Sequence, residues 1–422
     1  MLLKLPQTKA CLYLYAFAML VLQGWILAHA WRGISEGLPD FTIFYTAGQI
    51  LRTGHATELY DNNLQKIIQQ AVTPIGLVRR GSILPYNHPP FEAVIFVPLS
   101  RFSYLTAYLI WAGTNCAIVL WLAMLLRRHV LALRHLPARL WLLTVVTFNP
   151  VFIALIQGQD SILLLCCFAL AYISLIRNSE FTAGVWLGLG LFKFNLVLPF
   201  VLPFFLLKRK KCAEGLLVTG LSLFVLSLSI VGWRALIRYP QYLWGTEQDS
   251  TYLWNSAHAN QPNLRGLFTS LLPHQAVLRT GLVILGSGIV LLGMTLVWYR
   301  VCSRPSSAIQ RGFGISLLGS VLLSFHLYLH DLSLLLLAIV IVMDYLSQAP
   351  SISRGVKGSA YVFIALLFCS PLYLLLTLRY KELELMAVVM LALFAVLVRD
   401  TLRGQADDGI ETARATGTLA AG

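Results

Sequence analysis

Apolar residues run through this chain in long blocks, at about 10–31, 90–126, 140–156, 160–176, 181–207, 213–232, 277–299, 313–329, 332–346, 358–378 and 383–398, separated by short polar or basic connections. A block of roughly 20 apolar residues lets a helix cross a bilayer, and hydrocarbon tolerates backbone only as helix or closed barrel. The pattern predicts an all-α polytopic membrane protein. The block at 181–207 is unusual, because Arg177 and the Lys208–Lys211 cluster flank it and Lys193 sits between Phe192 and Phe194. With both basic flanks on one side, the block turns back as a helical hairpin whose arms are each about 12 residues, or roughly 18 Å. Counting that hairpin as two gives about twelve membrane helices. The other reading is one tilted helix, with Lys193 near the bilayer centre at a cost of roughly 2.5–3.5 kcal/mol.

Lysine and arginine set the orientation, since short basic loops stay in the cytoplasm. With Lys4/Lys9, Arg127/Arg128, Lys208–Lys211, Arg300/Arg304, Arg354/Lys357 and Arg399/Arg403 inside, the long connections 32–89 and 233–276 are extracytoplasmic segments of a single membrane domain, residues 1–398. The protein is then expected in the cell's cytoplasmic (inner) membrane. In the first segment, Phe41, Phe44, Tyr45, Gly48 and Leu51, then Leu64, Ile67, Ile68 and Ala71, recur at helical spacing and predict amphipathic helices along the membrane surface. The second is rich in Trp and Tyr, including Tyr239, Trp244, Tyr252 and Trp254, which favour an interface. Residues 399–422 read as a disordered cytoplasmic tail. The first block resembles a secretory signal ending in Ala28-His29-Ala30, but it is long enough to span and is read as an uncleaved anchor.

Composition fits a bilayer protein: of 422 residues, 58% are hydrophobic and 12% charged. The net charge of +14 does not imply nucleic acid, because the basic residues form short clusters between apolar blocks rather than a continuous face. Seven cysteines lie in or beside apolar stretches, without metal-ligand spacing to histidines.

Candidate chemistry concentrates in few places. Asp40 follows Pro39 just beyond the first block, where a carboxylate can act as a general base toward a hydroxyl or simply cap the helix that follows. Asp61, after Tyr60, suits a cap or turn. Lys193 can supply positive charge to a departing phosphate, or can snorkel. Gly158-Gln159-Asp160 is a tight polar connection between apolar arms. His326 and His330, four apart with Asp331 beside the second, would share one face of a helix; without a third ligand at recognisable spacing, hydrogen bonding is favoured over zinc. His258, Asn260, Gln261 and Asn263 with Arg265 suit sugar hydroxyls and phosphate, or an interfacial loop.

Taken in order, Asp40 with Phe41 and Phe44-Tyr45, Leu59-Tyr60-Asp61, Tyr86 and His88 with Pro89-Pro90, Gly158-Gln159, Gly188 with Lys193, Asn260-Gln261 with Leu264-Gly266, and His326-Leu327-Tyr328 with Asp331 resemble glycosyltransferase family 87 over roughly residues 10–345. The resemblance implies a C-type glycosyltransferase fold and inverting transfer of a mannose-like hexose or a pentose from a polyprenyl phosphate to a membrane lipid or glycan. Asp40 would then be the base, and Lys193, His326, Arg265 and Gln159 would serve the donor. Tyr60, Asp61, Tyr86, His88, Asn260, Gln261, His330 and Asp331 would serve the acceptor or sugar. No cofactor or metal is expected, since a monophosphate leaving group can be balanced by Lys193, Arg265 or His326. The competing classes are a flippase or transporter of a lipid-linked saccharide, and a polysaccharide polymerase or ligase.

Overall fold

The computed structural model describes residues 6–207, 209–248, 260–301, 307–348 and 352–415; Tyr252, Trp254 and His258 of the expected aromatic segment and residues 416–422 of the expected tail lie outside these. Among the described residues the chain is helical throughout, with no strand. Among the described residues, seven helices are long and apolar enough to cross a membrane, and up to nine if the bent pairs Ala138–Gln157 and Arg354–Tyr380 each count as one span. The protein is embedded in a membrane, but the expected twelve is not reached on length. Ser161–Ile176, with 16 residues, measures about 24 Å, short of the roughly 30 Å hydrocarbon core. The last helix, Leu385–Ala415, continues beyond its apolar block.

The bent pairs break by 62° and 55°. Pro150 and Pro371 each stand in the first turn after the break, where a missing N–H is harmless. The breaks are bonded to each other. Ser370 Oγ donates to the Thr147 carbonyl at 2.9 Å and accepts from the Asn149 N–H at 3.0 Å.

The stretch Glu180–Leu206 has the length of one span, yet its ends meet. Arg209 lies 3.5 Å from Glu180, whereas a straight helix of this length would hold them about 40 Å apart. The chain therefore doubles back through a tight 3₁₀ turn, Gly190–Lys193, between the arms Glu180–Leu189 and Phe194–Leu206. Small residues seat the first arm against the following helix, Lys210–Gln248. A Cβ on Gly184 would strike the Cys212 carbonyl, one on Gly215 the Phe181 carbonyl, and Gly188 faces Thr219. Register rises together on both helices, so they run side by side in the same direction.

That 39-residue helix breaks at Gly232, whose φ of 75° and ψ of 168° are not helical. The part beyond the break reaches the first polar segment, where the Tyr239 hydroxyl donates to the Asn87 carbonyl at 3.1 Å and the Tyr242 hydroxyl to Asn62 at 3.0 Å.

Of the two helices expected in the first polar segment, Asn62–Val72 keeps an exposed face that includes Ile67, but the first does not lie on a surface. Phe41–Arg52 is buried on nearly every side. Phe41, Phe44, Tyr45, Phe96, Tyr104 and Trp111 form a core of their own, and Gly48 lets the helix approach the Phe96 carbonyl. The reason is aromatic content: burying so many rings against Pro90–Phe96 and Tyr104–His129 is worth more than half-burial at an interface.

Gly184→Ala and Gly215→Ala should each destabilise by about 1–3 kcal/mol, seen as lower melting temperatures in detergent. Gly113→Ala, where a Cβ meets nothing within 4 Å, should not. Equal melting of all three would mean the hairpin arm does not pack on its neighbour.

Candidate functional site

Four short elements meet at the site. Asn149–Gln157, Ser161–Ile176, the hairpin tip and the turn Leu329–Ser333 converge below a cavity of about 440 Å³. Asp40 stands at its wall. Although it precedes the helix Phe41–Arg52, its side chain makes no capping bond; its own backbone is already helical, at φ −61° and ψ −19°. The carboxylate instead accepts a hydrogen bond from Gln159 Nε2 at 2.7 Å, and the Asp40 N–H donates to Gln157 at 3.2 Å. His330 Nδ1 lies 3.9 Å from the same carboxylate, which keeps 31% of its side chain exposed. The turn that presents Gln159 needs glycine: Gly158 has φ +60°, and a Cβ there would come within 2.8 Å of Phe41. Trp111 Nε1 donates to the Gly158 carbonyl at 2.9 Å and fixes the turn.

Beneath the cavity lies a buried charge cluster. Lys193 Nζ sits 2.8 Å from Asp160, pairs closely with Asp331 and donates to Ser161 Oγ at 2.8 Å. Asp331 also accepts from Ser161 Oγ and the Tyr328 N–H, each at 3.0 Å. His330 Nε2 is 3.4 Å from Asp331, so one ring stands between Asp40 and the cluster. On the other flank, His88 Nδ1 is 2.8 Å from Glu92 and 3.4 Å from Asp160. Burial pushes the Glu92 carboxyl up to about 7, with the His88 ring acting in the opposite sense.

The sequence model of glycosyltransferase family 87 matches residues 86–326, more than half of the chain. The chain belongs to glycosyltransferase family 87. It is a membrane glycosyltransferase. No curated protein and no solved structure matches it. The family match contains His88, Glu92, Asp160, Lys193 and Glu247; Asp40 precedes it, and His330 and Asp331 follow it.

Of the residues singled out in this family 87 chain, Asp40, His88, Gln159, Lys193, Asn260, His326, His330 and Asp331 all line the one cavity. Five do not. Asp61 caps Asn62–Val72, accepting from the Asn63 and Leu64 N–H groups at 2.7 and 3.1 Å. The Tyr60 hydroxyl donates to the His88 carbonyl and the Tyr86 hydroxyl to the Pro89 carbonyl, both at 2.9 Å, so these rings brace the wall from behind. Gln261 is fully buried. Arg265 lies just outside the lining, 3.2 Å from Glu247 and donating to the Phe325 carbonyl at 2.8 Å.

His326 and His330 do not share a helix face, because residues 324–328 are irregular. Asn195 Nδ2 donates to the His326 carbonyl at 2.6 Å and Ser324 Oγ to the same oxygen at 2.7 Å, satisfying the backbone that leaves the helix. His326 consequently turns to Glu247 and His330 toward Asp40. Lys193 is not a bare cation awaiting phosphate either, since two carboxylates already hold it.

Sequence reading missed Glu92, Glu247 and Ser161. The only local signal was the polar run Gln159-Asp160-Ser161 between apolar arms.

Lys193→Met leaves Asp160 and Asp331 without their counter-ion and should destabilise by roughly 3–5 kcal/mol. Lys193→Met with Asp331→Asn should recover part of that loss. Thermal melting of both variants in detergent checks this, and a Lys193→Met protein that melts like wild type would rule the lysine out as the holder of the floor.

Proposed function

We propose that this glycosyltransferase carries out inverting transfer of a mannose-like hexose, or a pentose, from a polyprenyl phosphate to a lipid or glycan acceptor at the extracytoplasmic face of the cytoplasmic membrane. Asp40 is the general base. The observation that carries this reading is the Asp40 carboxylate itself, excluded from capping, oriented by Gln159 and open to a cavity.

The acceptor hydroxyl gives its proton to Asp40 as its oxygen bonds to the anomeric carbon. The bond from that carbon to the phosphate oxygen breaks on the opposite face, and polyprenyl phosphate leaves with the bonding electrons. His330, between Asp40 and Asp331, is suited to steady the carboxylate and to take the proton onward. Positive charge toward the phosphate comes from His326 and Arg265, which meet at Glu247, rather than from the occupied Lys193. Phe192, Phe194, Phe325, Leu243 and Leu383 give the cavity an apolar wall suited to an isoprenoid. Confinement of both substrates to one surface replaces a three-dimensional encounter by a local one.

Membership of a glycosyltransferase family favours bond-making chemistry over a carrier. The placement outside the cytoplasm rests on the basic connections that set the orientation.

Asp40→Asn should reduce transfer of radiolabelled sugar from polyprenyl phosphate by about 10²–10⁴-fold in liposomes, with an unchanged melting temperature. Transfer at the wild-type rate would remove Asp40 from the mechanism.

A further inference from the structure

We propose that His88, Glu92 and Asp160 form a binding site for one divalent metal ion that fastens the first polar segment to the membrane helices. The three residues come from two remote parts of the chain: His88 and Glu92 lead into and lie on the short helix Pro90–Phe96, and Asp160 opens the helix Ser161–Ile176. Each offers one ligand atom, and the three atoms lie within 4.8 Å of one another.

The contacts inside this group leave one buried oxygen over. His88 Nδ1 meets Glu92 Oε2 at 2.8 Å and Asp160 Oδ1 meets Lys193 Nζ at 2.8 Å, which leaves Glu92 Oε1, on a side chain only 1% exposed, with no hydrogen-bond donor among the described residues. Donors around an ion with bonds of about 2.1 Å stand roughly 3.0–3.4 Å apart in octahedral or tetrahedral geometry, against 3.4 Å from His88 Nδ1 to Asp160 Oδ2 and 2.8 Å to Glu92 Oε2. Asp160 can serve both neighbours, because Oδ1 meets Lys193 while Oδ2 turns to His88.

Charge points the same way. Glu92, Asp160 and Asp331 bring three carboxylates against one ammonium, Lys193, in a region where the Glu92 and Asp160 side chains are 1% and 0% exposed. With one proton shared between His88 and Glu92 across 2.8 Å, the group buries an excess of one negative charge, which is costly; a divalent cation that displaces that proton brings the sum to zero. One imidazole with two carboxylates suits zinc or manganese. His88 is the member at the cavity wall, with 12% of its side chain exposed, and gives an ion its way in. Holding Pro90–Phe96 in place, the ion would also fix the wall that Tyr60 and Tyr86 brace.

The test uses tag-free wild-type protein in detergent, treated with chelator and then incubated with Zn²⁺ or Mn²⁺ alone. Elemental analysis should find one ion per chain. With ion at about a hundredfold excess over its dissociation constant, the melting temperature should rise by about 3 °C. His88→Gln and Glu92→Gln should each lose the ion and the rise together. Well under one ion per chain in wild type would overturn the site, even if neither variant folds. An ion retained equally by both variants would overturn it too. Both readouts are independent of transfer activity, so their failure leaves the Asp40 mechanism standing.

Discussion

A buried ammonium facing two carboxylates is the interaction on which the rest of the molecule turns. Lys193 sits at the tip of a hairpin that would otherwise place a bare charge among apolar side chains, at a cost of several kcal/mol. Asp160 and Asp331 remove that penalty, and in doing so they bind three separate chain segments at one depth. The consequences run upward. Asp331 bonds the Tyr328 backbone and lies against His330, and His330 stands beside Asp40. The Asp40 carboxylate thus inherits its surroundings from a charge pair it does not touch.

Helices shorter than the hydrocarbon core follow from the same arrangement. Ser161–Ile176 and both hairpin arms end at the cluster, whereas Tyr104–His129 runs on past it, since Trp111, seven residues inside that helix, already meets the Gly158 carbonyl. A hydroxyl and a phosphate meeting there would be screened from bulk water, and every dipole around them would act more strongly.

What could be read from the chain alone was what hydrophobicity and charge record locally. The blocks gave the membrane helices, and a lysine inside an apolar run flanked by basic residues gave the hairpin. The bends at Phe148 and Cys369 escaped, because proline in a first turn is equally at home at an ordinary helix start. Asp40 was ambiguous for a physical reason: a capping and a non-capping carboxylate share the same sequence, and the partner that draws this one away from its helix, Gln159, is 119 positions away. Lys193 drew attention, but its partner Asp331 lies 138 positions on, so the charge looked free when it was not. Glu92 and Glu247 left no trace, since a carboxylate on a short helix or at a helix end normally faces water. His326 and His330 misled through a periodicity that holds only while the backbone stays helical.

The break at Gly232 carries a consequence for how the far rim of the chamber is built. No neighbouring atom lies within 4 Å of where its Cβ would stand, so crowding does not require glycine. Torsion does, because φ and ψ of 75° and 168° belong to a region that residues with a side chain rarely occupy. The aim of Glu247, and with it the company of His326 and Arg265, is therefore written in two backbone angles fifteen positions upstream. A methyl group that touches nothing would redirect an entire helical arm.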